Sequence, residues 1–376
     1  MKILTTHVGS LPRTQKTVDF IFAKEKKQKF DQNLFDIAMK EGVLEVVEKQ
    51  NKVGIDIVSD GETSKISYAT YVKDRYEGFD GDSPRNAPKD LKLFPGFLKR
   101  ISEQGGTPDY SRPMCVDEIK SKNNKELETD IKNLLSAMKK KNIKRGFMNA
   151  ASPGVISLFL KNNFYESREK YLIALGNVMS DEYKSIIDAG LDLQIDCPDL
   201  ALSRHMLFED LSDDEFLKIA EMHIDILNGA LKNLPPEKIR IHICWGNYEG
   251  PHVCDIPMSK MFDTLMKAHA NYVLFETSNP RHQHEWRVFE ENKNKIPSDK
   301  ILVPGVLDTT TNFVEHPMLV SERLGRFIKI VGKERVIAGT DCGFGTFAGF
   351  GSVDPDIAYE KLKSLCEGAE IAQNNF

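Results

Sequence analysis

Eight short apolar segments, each ending in polar or glycine-rich residues, constrain the fold of this 376-residue chain most strongly. They lie at residues 4–9, 55–61, 146–152, 193–198, 240–246, 272–278, 301–308 and 336–343. Continuous apolar runs without alternation are typical of parallel strands that are covered on both faces. Because helical patterns separate them, the chain is predicted to be an α/β protein, a parallel sheet closed as a (β/α)8 TIM barrel.

The helical patterns between the strands have recognisable ends. Apolar residues recur at helical spacing over 35–52, 168–187, 211–233 and 316–331. Ser212 precedes a run of acidic residues, which is a typical helix start. Gly332 follows the last apolar residue of its segment and is a typical helix stop. These patterns supply helices of the kind that the barrel prediction requires.

One long stretch, residues 74–142, interrupts the repeat. It contains clusters of glycine, proline and lysine and a further strand-like piece at 113–119. We interpret it as an insertion after the second barrel strand, built as a hairpin with a helix. The predicted organisation is a single catalytic barrel domain over residues 1–376, with this insertion at about 74–142.

Charge and hydropathy exclude several classes of protein. The chain has 51 Lys and Arg against 56 Asp and Glu, a net charge of −5, whereas nucleic-acid-binding domains are basic. No apolar run reaches the roughly 18 residues of a membrane span, and the first residues lack a signal-peptide pattern. Six cysteines are too few for a secreted disulfide framework. We expect a cytoplasmic protein with reduced thiols and no nucleic-acid or membrane partner; its oligomeric state is left open.

Four potential metal ligands lie at the carboxyl ends of three predicted strands. His242 and Cys244 are two residues apart, so in a strand they point to the same face. Glu276 ends the sixth strand, and Cys342 follows the eighth. A lone His–Cys pair is more often buried packing, but His, two Cys and Glu at one barrel mouth form a plausible tetrahedral Zn²⁺ site.

These residues belong to a set of motifs through which the sequence resembles the cobalamin-independent methionine synthase family, specifically its catalytic C-terminal barrel. The resemblance extends from Thr5 to about Gly345 and is closest to the short, single-barrel members, which are related to epoxyalkane:coenzyme M transferase. The motifs are Thr6-His7-Val8-Gly9-Ser10, Asp60-Gly61-Glu62, Gln194-Ile195-Asp196, His242-Ile243-Cys244, Glu276-Thr277-Ser278, Gly305-Val306-Leu307-Asp308 and Asp341-Cys342-Gly343.

The resemblance implies a transferase that activates homocysteine as a zinc thiolate and methylates it to methionine. The methyl donor would be a methyltetrahydrofolate or methylcobalamin, so the expected partners are a small thiol and a methyl donor. The family's zinc ligands fall on His242, Cys244, Glu276 and Cys342. Its amine-binding acids, which are also candidate catalytic residues, fall on Glu62 and Asp196, and its carboxylate-binding region falls on Ser10.

Several positions depart from the long members of the family or stay ambiguous. The chain has no room for a second barrel, and Thr310 stands where the long enzymes have a His. His316, close by, is either the catalytic proton carrier or a helix-start residue. His7 and Arg13 either bind an anionic group of the substrate, a carboxylate or a sulfonate, or are surface residues. The His-rich segments 244–252 and 279–286 form either a second metal site or a polar loop lining a pocket.

Two other functions compete with methionine formation. The first is alkyl transfer to a different thiol, as in the coenzyme M branch, where a sulfonate would need a cation such as Arg13. The second is a non-catalytic barrel in which a closed Zn²⁺ site is structural.

Overall fold

Parallel strands and the helices between them make up most of this computed structural model, which describes residues 2–84, 86–103 and 109–376. The strands are β1 Phe79–Asp80, β2 Met114–Cys115, β3 Phe147–Ala151, β4 Asp192–Asp196, β5 Ile239–His242, β6 Tyr272–Glu276 and β7 Ile301–Gly305. The helices are α1 Gln15–Glu25, α2 Gln32–Val53, α3 Val72–Arg75, α4 Lys89–Lys92, α5 Pro95–Glu103, α6 Lys125–Lys140, α7 Pro153–Phe159, α8 Arg168–Asp188, α9 Ser203–Met206, α10 Asp213–Leu231, α11 Met258–Met266, α12 Trp286–Glu291, α13 Pro317–Val331 and α14 Pro355–Asn375.

Strands β3 to β7 form a five-stranded parallel sheet in chain order. Each pair is in parallel register, and Asp196 of β4 stands beside His242 of β5. Consecutive parallel strands require crossovers, and helices α7 to α12 lie in those crossovers. The predicted α/β fold with a parallel sheet is confirmed.

The other three predicted strands, at 4–9, 55–61 and 336–343, make single parallel bridges instead of regular ladders. Thr5 bridges to Ala338, Val58 to Gly146, and Gly305 of β7 to Gly339. Part of the reason is that Asp56 Oδ2 accepts the Thr5 backbone N–H at 3.0 Å, so a side chain takes a donor that a ladder would use. Within the described residues, the parallel sheet therefore has five regular strands.

Side chains from the sheet and the bridged segments meet in one apolar cluster. Its fully packed members are Val8, Ile57, Phe147, Tyr272, Leu274, Val303 and Ile337. The Arg240 guanidinium lies 3.7 Å from the Phe147 ring centroid and donates to the carbonyl of His7 at 2.9 Å. The segments at the two ends of the chain therefore pack against the same interior face as the central strands.

The predicted helices are present with small shifts at their ends. Segment 35–52 lies within α2, which extends to Val53 and is capped by Gly54 in a left-handed conformation. Helix α10 begins after Ser212, whose side chain forms a capping box with Glu215. In the described part of the chain, no helix combines the length and apolar character needed to cross a lipid bilayer.

The segment predicted as an insertion contains an antiparallel strand pair and helices, but the two strands are not joined by a short turn as in a hairpin. Strands β1 and β2 pair in antiparallel fashion, with Phe79 opposite Cys115. Helices α4 and α5 lie between these strands, and α6 follows them. Residues 85 and 104–108 of the interval 74–142 lie outside the described residues.

Candidate metal and substrate site

A cavity of about 920 Å³ opens where the parallel strands end. Side chains from five chain segments that end or follow predicted strands line it, which is where α/β proteins usually bind ligands. Among its lining residues are six of the predicted site residues: Ser10, Glu62, Asp196, His242, Cys244 and Cys342. Residues separated by more than 300 positions in sequence therefore share one chamber, and we name these six the cavity floor.

Three of the predicted zinc ligands converge on one point of this floor. Ligand atoms of His242, Cys244 and Cys342 all lie within 4.8 Å of one another. The two sulfur atoms are 3.8 Å apart, and both cysteines are free thiols. Two thiolates bound at about 2.3 Å to one tetrahedral zinc ion lie roughly 3.8 Å apart, so the spacing fits a shared ion.

The protonation of these groups also fits a cation. Neither ring nitrogen of His242 has a hydrogen-bond partner among the described residues, although the side chain is buried. Burial and the nearby Arg240 lower the pKa of His242 to about 3, so the ring is neutral and has a lone pair for a metal. The hydrogen bond with Cys342 and burial raise the pKa of Cys244 well above its usual value. A bound zinc ion would reverse that shift, because it deprotonates its thiol ligands.

Glu276, the fourth predicted ligand, is buried nearby but is held by other groups. Its Oε1 accepts the backbone N–H of Trp245 at 2.9 Å, and its Oε2 accepts the side-chain amide of Asn279 at 2.8 Å. It is outside the group of ligand atoms within 4.8 Å that the described residues form. Ligation by Glu276 would therefore require exchange of these hydrogen bonds, and it stays a prediction.

Glu62 and Asp196 are the acidic residues of the cavity floor. Both are nearly fully buried, and Glu62 Oε2 has no hydrogen-bond partner among the residues described. Burial raises the pKa of Glu62 to about 7 and that of Asp196 to about 6. A cationic group entering the cavity would therefore meet carboxyl groups that gain much by ionising beside it.

Arg13 lies behind Glu62 and is not among the cavity-lining residues of the described chain. Its guanidinium donates to the carbonyl oxygens of Glu62, Lys65 and Gly345, the shortest contacts being 2.6 Å. Glu62 has φ of 54°, a left-handed conformation that is strained for a residue with a side chain. Arg13 therefore positions the Glu62 backbone, and its donors are taken by protein carbonyls.

The structure brings neither His7 nor His316 to the cavity floor. His7 is buried in the sheet, where Nε2 lies 2.8 Å from Gln50 Oε1 and the ring packs edge-on against Phe147. Burial lowers the pKa of His7 to about 4. His316 is exposed at the start of α13, and its Nδ1 accepts the Met318 N–H at 3.2 Å. This geometry agrees with the helix-start interpretation of His316.

Sequence reasoning missed the residues that hold the floor in place. Asn149 donates to Asp196 Oδ2 at 2.8 Å and to the carbonyl of Val8 at 2.9 Å, which ties two strands together. Asp341 accepts the backbone N–H groups of Thr277, Ser278 and Asn279 and so fixes the turn after β6. A polar residue inside an apolar strand was the available signal for Asn149. Asp341 belongs to the motif Asp341-Cys342-Gly343, where nothing in the residue type indicates that its carboxylate supports a neighbouring turn.

Glycine permits the closest approach across the floor. A Cβ atom on Gly343 would lie 2.0 Å from Ser10 Oγ, so only glycine allows the segment after Cys342 to pass this close. Ser10 in turn accepts the Phe344 N–H on its carbonyl at 2.8 Å. These contacts hold the Cys342 end of the floor against the first segment of the chain.

The insertion forms the opposite side of the cavity. We name this side the insertion wall; its cavity-lining residues include Leu91, Phe97, Leu98, Arg100 and Ile101. Arg112, which follows α5 in the chain, also lines the cavity, and its guanidinium lies 5.4 Å from the Phe159 ring centroid. Helix α4 is anchored by the buried Asp90, which accepts the Tyr248 hydroxyl at 2.9 Å. The cavity thus has a polar, thiol-bearing floor and an apolar wall with two cations.

Known proteins resemble this chain in sequence and in fold. The sequence profile described as "Cobalamin-independent synthase, Catalytic domain" matches residues 3–81 and 106–350. A methionine synthase of Saccharolobus solfataricus is 23% identical over 370 residues, which are 98% of this chain and 94% of that protein. The gap in the profile match, residues 82–105, contains the insertion wall.

Solved structures show the same fold at low sequence identity. The structure of a B12-independent methionine synthase from Shewanella sp. W3-18-1 in complex with selenomethionine has a TM-score of 0.74 at 21% identity, with 100% of this chain and 98% of that chain covered. A methyltransferase from Methanosarcina mazei has a TM-score of 0.53 at 13% identity and covers 98% and 94% of the two chains.

Proposed function

Because the chain belongs to the family of cobalamin-independent synthase catalytic domains, we propose that it transfers a methyl group to the thiol of homocysteine and forms methionine. The chain is an enzyme of the methyltransferase class. The observation that carries the proposal is the cavity floor, where His242, Cys244 and Cys342 face the same chamber as Glu62 and Asp196.

We propose zinc as the metal, held by His242, Cys244 and Cys342, with Glu276 as the exchangeable fourth ligand. The 3.8 Å sulfur spacing and the unpartnered, neutral imidazole among the described residues support this choice. Zinc supplies a centre that lowers the pKa of a coordinating thiol, which then reacts as a thiolate. The Glu276 carboxylate accepts two hydrogen bonds in this structure. It would therefore stay paired if a substrate thiol replaced it as a metal ligand.

The acids of the floor select an amino-acid thiol. Glu62 and Asp196 would bind the homocysteine ammonium, and the Ser10 region would bind its carboxylate. Asn149 and Gln194 hold the Asp196 oxygens at 2.8 and 3.0 Å, while Arg13 fixes the Glu62 backbone. Oriented in this way, the thiol would face the metal ligands and give up its proton to solvent. Its sulfur would then form a bond to the methyl carbon as the donor's bond to that carbon breaks, and the demethylated donor would leave with the electron pair.

The residues of the insertion wall favour a flat, anionic methyl donor such as a methyltetrahydrofolate. Methylcobalamin is the other expected donor. The cavity volume of about 920 Å³ is near the upper end of the range for ligand pockets, so two substrates fit. Phe97 and Ile101 offer apolar surface, and Arg100 and Arg112 offer positive charge. A folate donor has an aromatic ring system and a carboxylate tail that match these two features.

The framework we propose is a closed (β/α)8 barrel in one catalytic domain, located in the cytoplasm. The parallel bridges of Thr5 with Ala338 and Val58 with Gly146 support closure of the sheet. The apolar cluster shared by both ends of the chain also supports it. The cytoplasm suits the chemistry, because a reducing compartment keeps Cys244 and Cys342 as thiols.

An assay of methionine formation tests the proposal. The full chain is incubated with homocysteine and, in separate reactions, methyltetrahydrofolate, its polyglutamates and methylcobalamin. Methionine is expected from at least one donor. The C254S variant, whose cysteine is outside the cavity lining of the described residues, is the matched control and keeps its activity. Absence of methionine with all three donors, from zinc-loaded protein, contradicts the proposal.

Alkyl transfer to a sulfonate thiol such as coenzyme M is the second candidate. Arg100 and Arg112 favour it, since they are cavity-lining cations that a sulfonate could contact. Zinc-edge X-ray absorption during titration with homocysteine or coenzyme M separates the candidates. An added sulfur neighbour is expected only with homocysteine; its appearance only with coenzyme M would replace the first candidate by the second.

A further inference from the structure

A second group of imidazoles converges on one carboxylate outside the cavity floor. His252 Nδ1 and His282 Nε2 each lie 2.9 Å from Asp255 Oδ2. His205 Nδ1 faces the other carboxylate oxygen, Oδ1, at 3.6 Å. Ligand atoms of His252, Asp255 and His282 all lie within 4.8 Å of one another. This group, which we name the imidazole cluster, contains no sulfur ligand.

In His252 and His282, the ring nitrogen that points away from Asp255 lies within hydrogen-bond distance of another acceptor. His282 Nδ1 lies 2.8 Å from Glu285 Oε2, and His252 Nε2 lies 3.0 Å from the Tyr248 carbonyl oxygen. A neutral imidazole has one N–H, and in each ring that N–H belongs on the far side. The near nitrogens would then present lone pairs to Asp255, an arrangement that needs either a metal ion between them or a second proton on each ring.

Two further atoms of the cluster point to the same conclusion. His205 Nδ1 and Asp255 Oδ1 have no hydrogen-bond partner within residues 2–84, 86–103 and 109–376. Their side chains are only 1% and 2% exposed, so bulk water does not solvate them. Buried polar atoms of this kind are costly unless they are paired or bind a metal.

The distances from His252 Nδ1 and His282 Nε2 to Asp255 Oδ2 are close to the separations between ligand atoms of one metal ion. Ligands held at about 2.0–2.1 Å by one tetrahedral ion lie roughly 3.3 Å apart, and the observed nitrogen–oxygen separations are 2.9 Å. The acceptors behind the rings are the kind that orient metal-binding histidines. Tyr248, which stacks on His252 at 4.4 Å between centroids, also lines the cavity, so the cluster borders a route for an ion.

We propose that His252, Asp255 and His282 bind a second divalent transition-metal ion, separate from the thiol-bound zinc. Two histidines and a carboxylate with open positions are characteristic of non-haem iron(II), and imidazole also suits zinc, copper and nickel. Glu285 and the Tyr248 carbonyl orient the rings from behind. The Trp245 ring lies 4.4 Å from that of His282, and the Trp245 backbone N–H donates to Glu276, so the second ion would stabilise residues that border the first site.

Two protonated rings are the competing account of the same geometry. Burial lowers the pKa of His282, but hydrogen bonds to Asp255 and Glu285 outweigh burial and raise it to about 10. In that account the Asp255 carboxylate is clamped between two imidazolium rings and no ion is bound. The two accounts differ in metal content and in the number of protons on each ring.

Metal analysis of the full chain separates the two accounts. The protein is purified without chelators from medium containing zinc and iron, and its metals are measured by plasma mass spectrometry. About two ions per chain are expected in the unaltered protein and about one in H282Q and in H252Q. The matched control is H284Q, because His284 is exposed in the same loop. It is expected to keep both ions.

A second measurement uses the variant that lacks both thiol ligands, C244S with C342S. X-ray absorption at the edge of the remaining metal is expected to show nitrogen and oxygen neighbours without sulfur. Circular dichroism and thermal melting confirm that each variant is folded; should H282Q not fold, H252Q and the thiol variant carry the test. The proposal is overturned if the unaltered chain binds about one ion that the thiol variant loses completely. It is equally overturned if nitrogen-15 NMR of metal-saturated protein shows His252 and His282 doubly protonated.

Discussion

The cavity floor and the insertion wall face each other, but they are built in different ways. Five of the six floor residues are buried and Cys342 is half-buried, and hydrogen bonds join the floor to chain segments far apart in sequence, as between Asn149 and Asp196. In contrast, α5 of the wall has no buried residue, and Phe94 beside it is 45% exposed. The family profile covers every floor residue and omits 82–105. The floor is therefore suited to fixed bond-making chemistry, and the wall is suited to selecting which donor enters.

Loss of a thiol from the floor should have the largest effect. C342S removes one of three converging ligand atoms, so zinc content and methionine formation are both expected to fall. The activity loss should exceed about 100-fold, the upper end of what removal of an outer partner of a metal site costs. Metal analysis and steady-state kinetics measure the two effects, with C254S as control. Full activity in metal-depleted C342S would show that the floor is not a metal site.

Removal of a floor carboxylate should weaken binding of the acceptor thiol. D196N or E62Q loses a charged hydrogen bond to the ammonium group, worth about 1.5–3 kcal/mol, or roughly 10- to 150-fold in KM for homocysteine. KM for the methyl donor should stay nearly constant. E249Q is the matched control, because Glu249 lines the same cavity but is exposed. An equal rise in both KM values would contradict a specific role in acceptor binding.

The pH dependence of the floor follows from the raised pKa of Glu62. Because burial raises that pKa to about 7, Glu62 is ionised above this pH and neutral below it. The value of kcat/KM for homocysteine should therefore fall as the pH decreases through about 7. Kinetics between about pH 5.5 and about pH 8.5 measure the inflection. E62Q should lose it; an unchanged inflection in E62Q would assign the titration to another group.

Truncation of the wall should have the smallest effect and should fall on the donor. F97A removes part of an apolar contact, about 1 kcal/mol, so KM for the methyl donor is expected to rise roughly five-fold. Metal content and KM for homocysteine should not change. F94A, on the same insertion and outside the cavity lining of the described residues, is the control. A change in metal content in F97A would show that wall and floor are not independent.

Sequence patterns predicted the floor better than they predicted its support. His242, Cys244 and Cys342 were predictable because their residue types are rare as a set and stand at the ends of apolar strands. Arg13 and His7 were not, since the same motif places Ser10 in the cavity and His7 inside the sheet. A one-residue change reverses the direction of a side chain in an extended segment. Motif membership therefore cannot separate a substrate ligand from a packing residue.

Hydrogen-bond partners were the part of the site that no pattern could supply. Arg13 is the clearest example, because its carbonyl partners come from Glu62, Lys65 and Gly345, the last of them 332 positions away. Asp255 is another, since its contacts with His205 and His282 join its loop to helix α9 and to a second loop. Such partners depend on which strand ends lie side by side in the folded chain. The residue type at one position does not reveal this.

By itself, the sequence determined the class of the fold, the order of strands and helices, and the residue types available for thiol chemistry. Alternation of apolar strands with amphipathic helices is a local property, so it can be read from the chain. Only the tertiary structure decided that three potential metal ligands lie within 4.8 Å of one another, that Arg13 holds the Glu62 backbone, and that the insertion forms a wall. These are distances between segments remote in sequence, and burial of the shared core sets them.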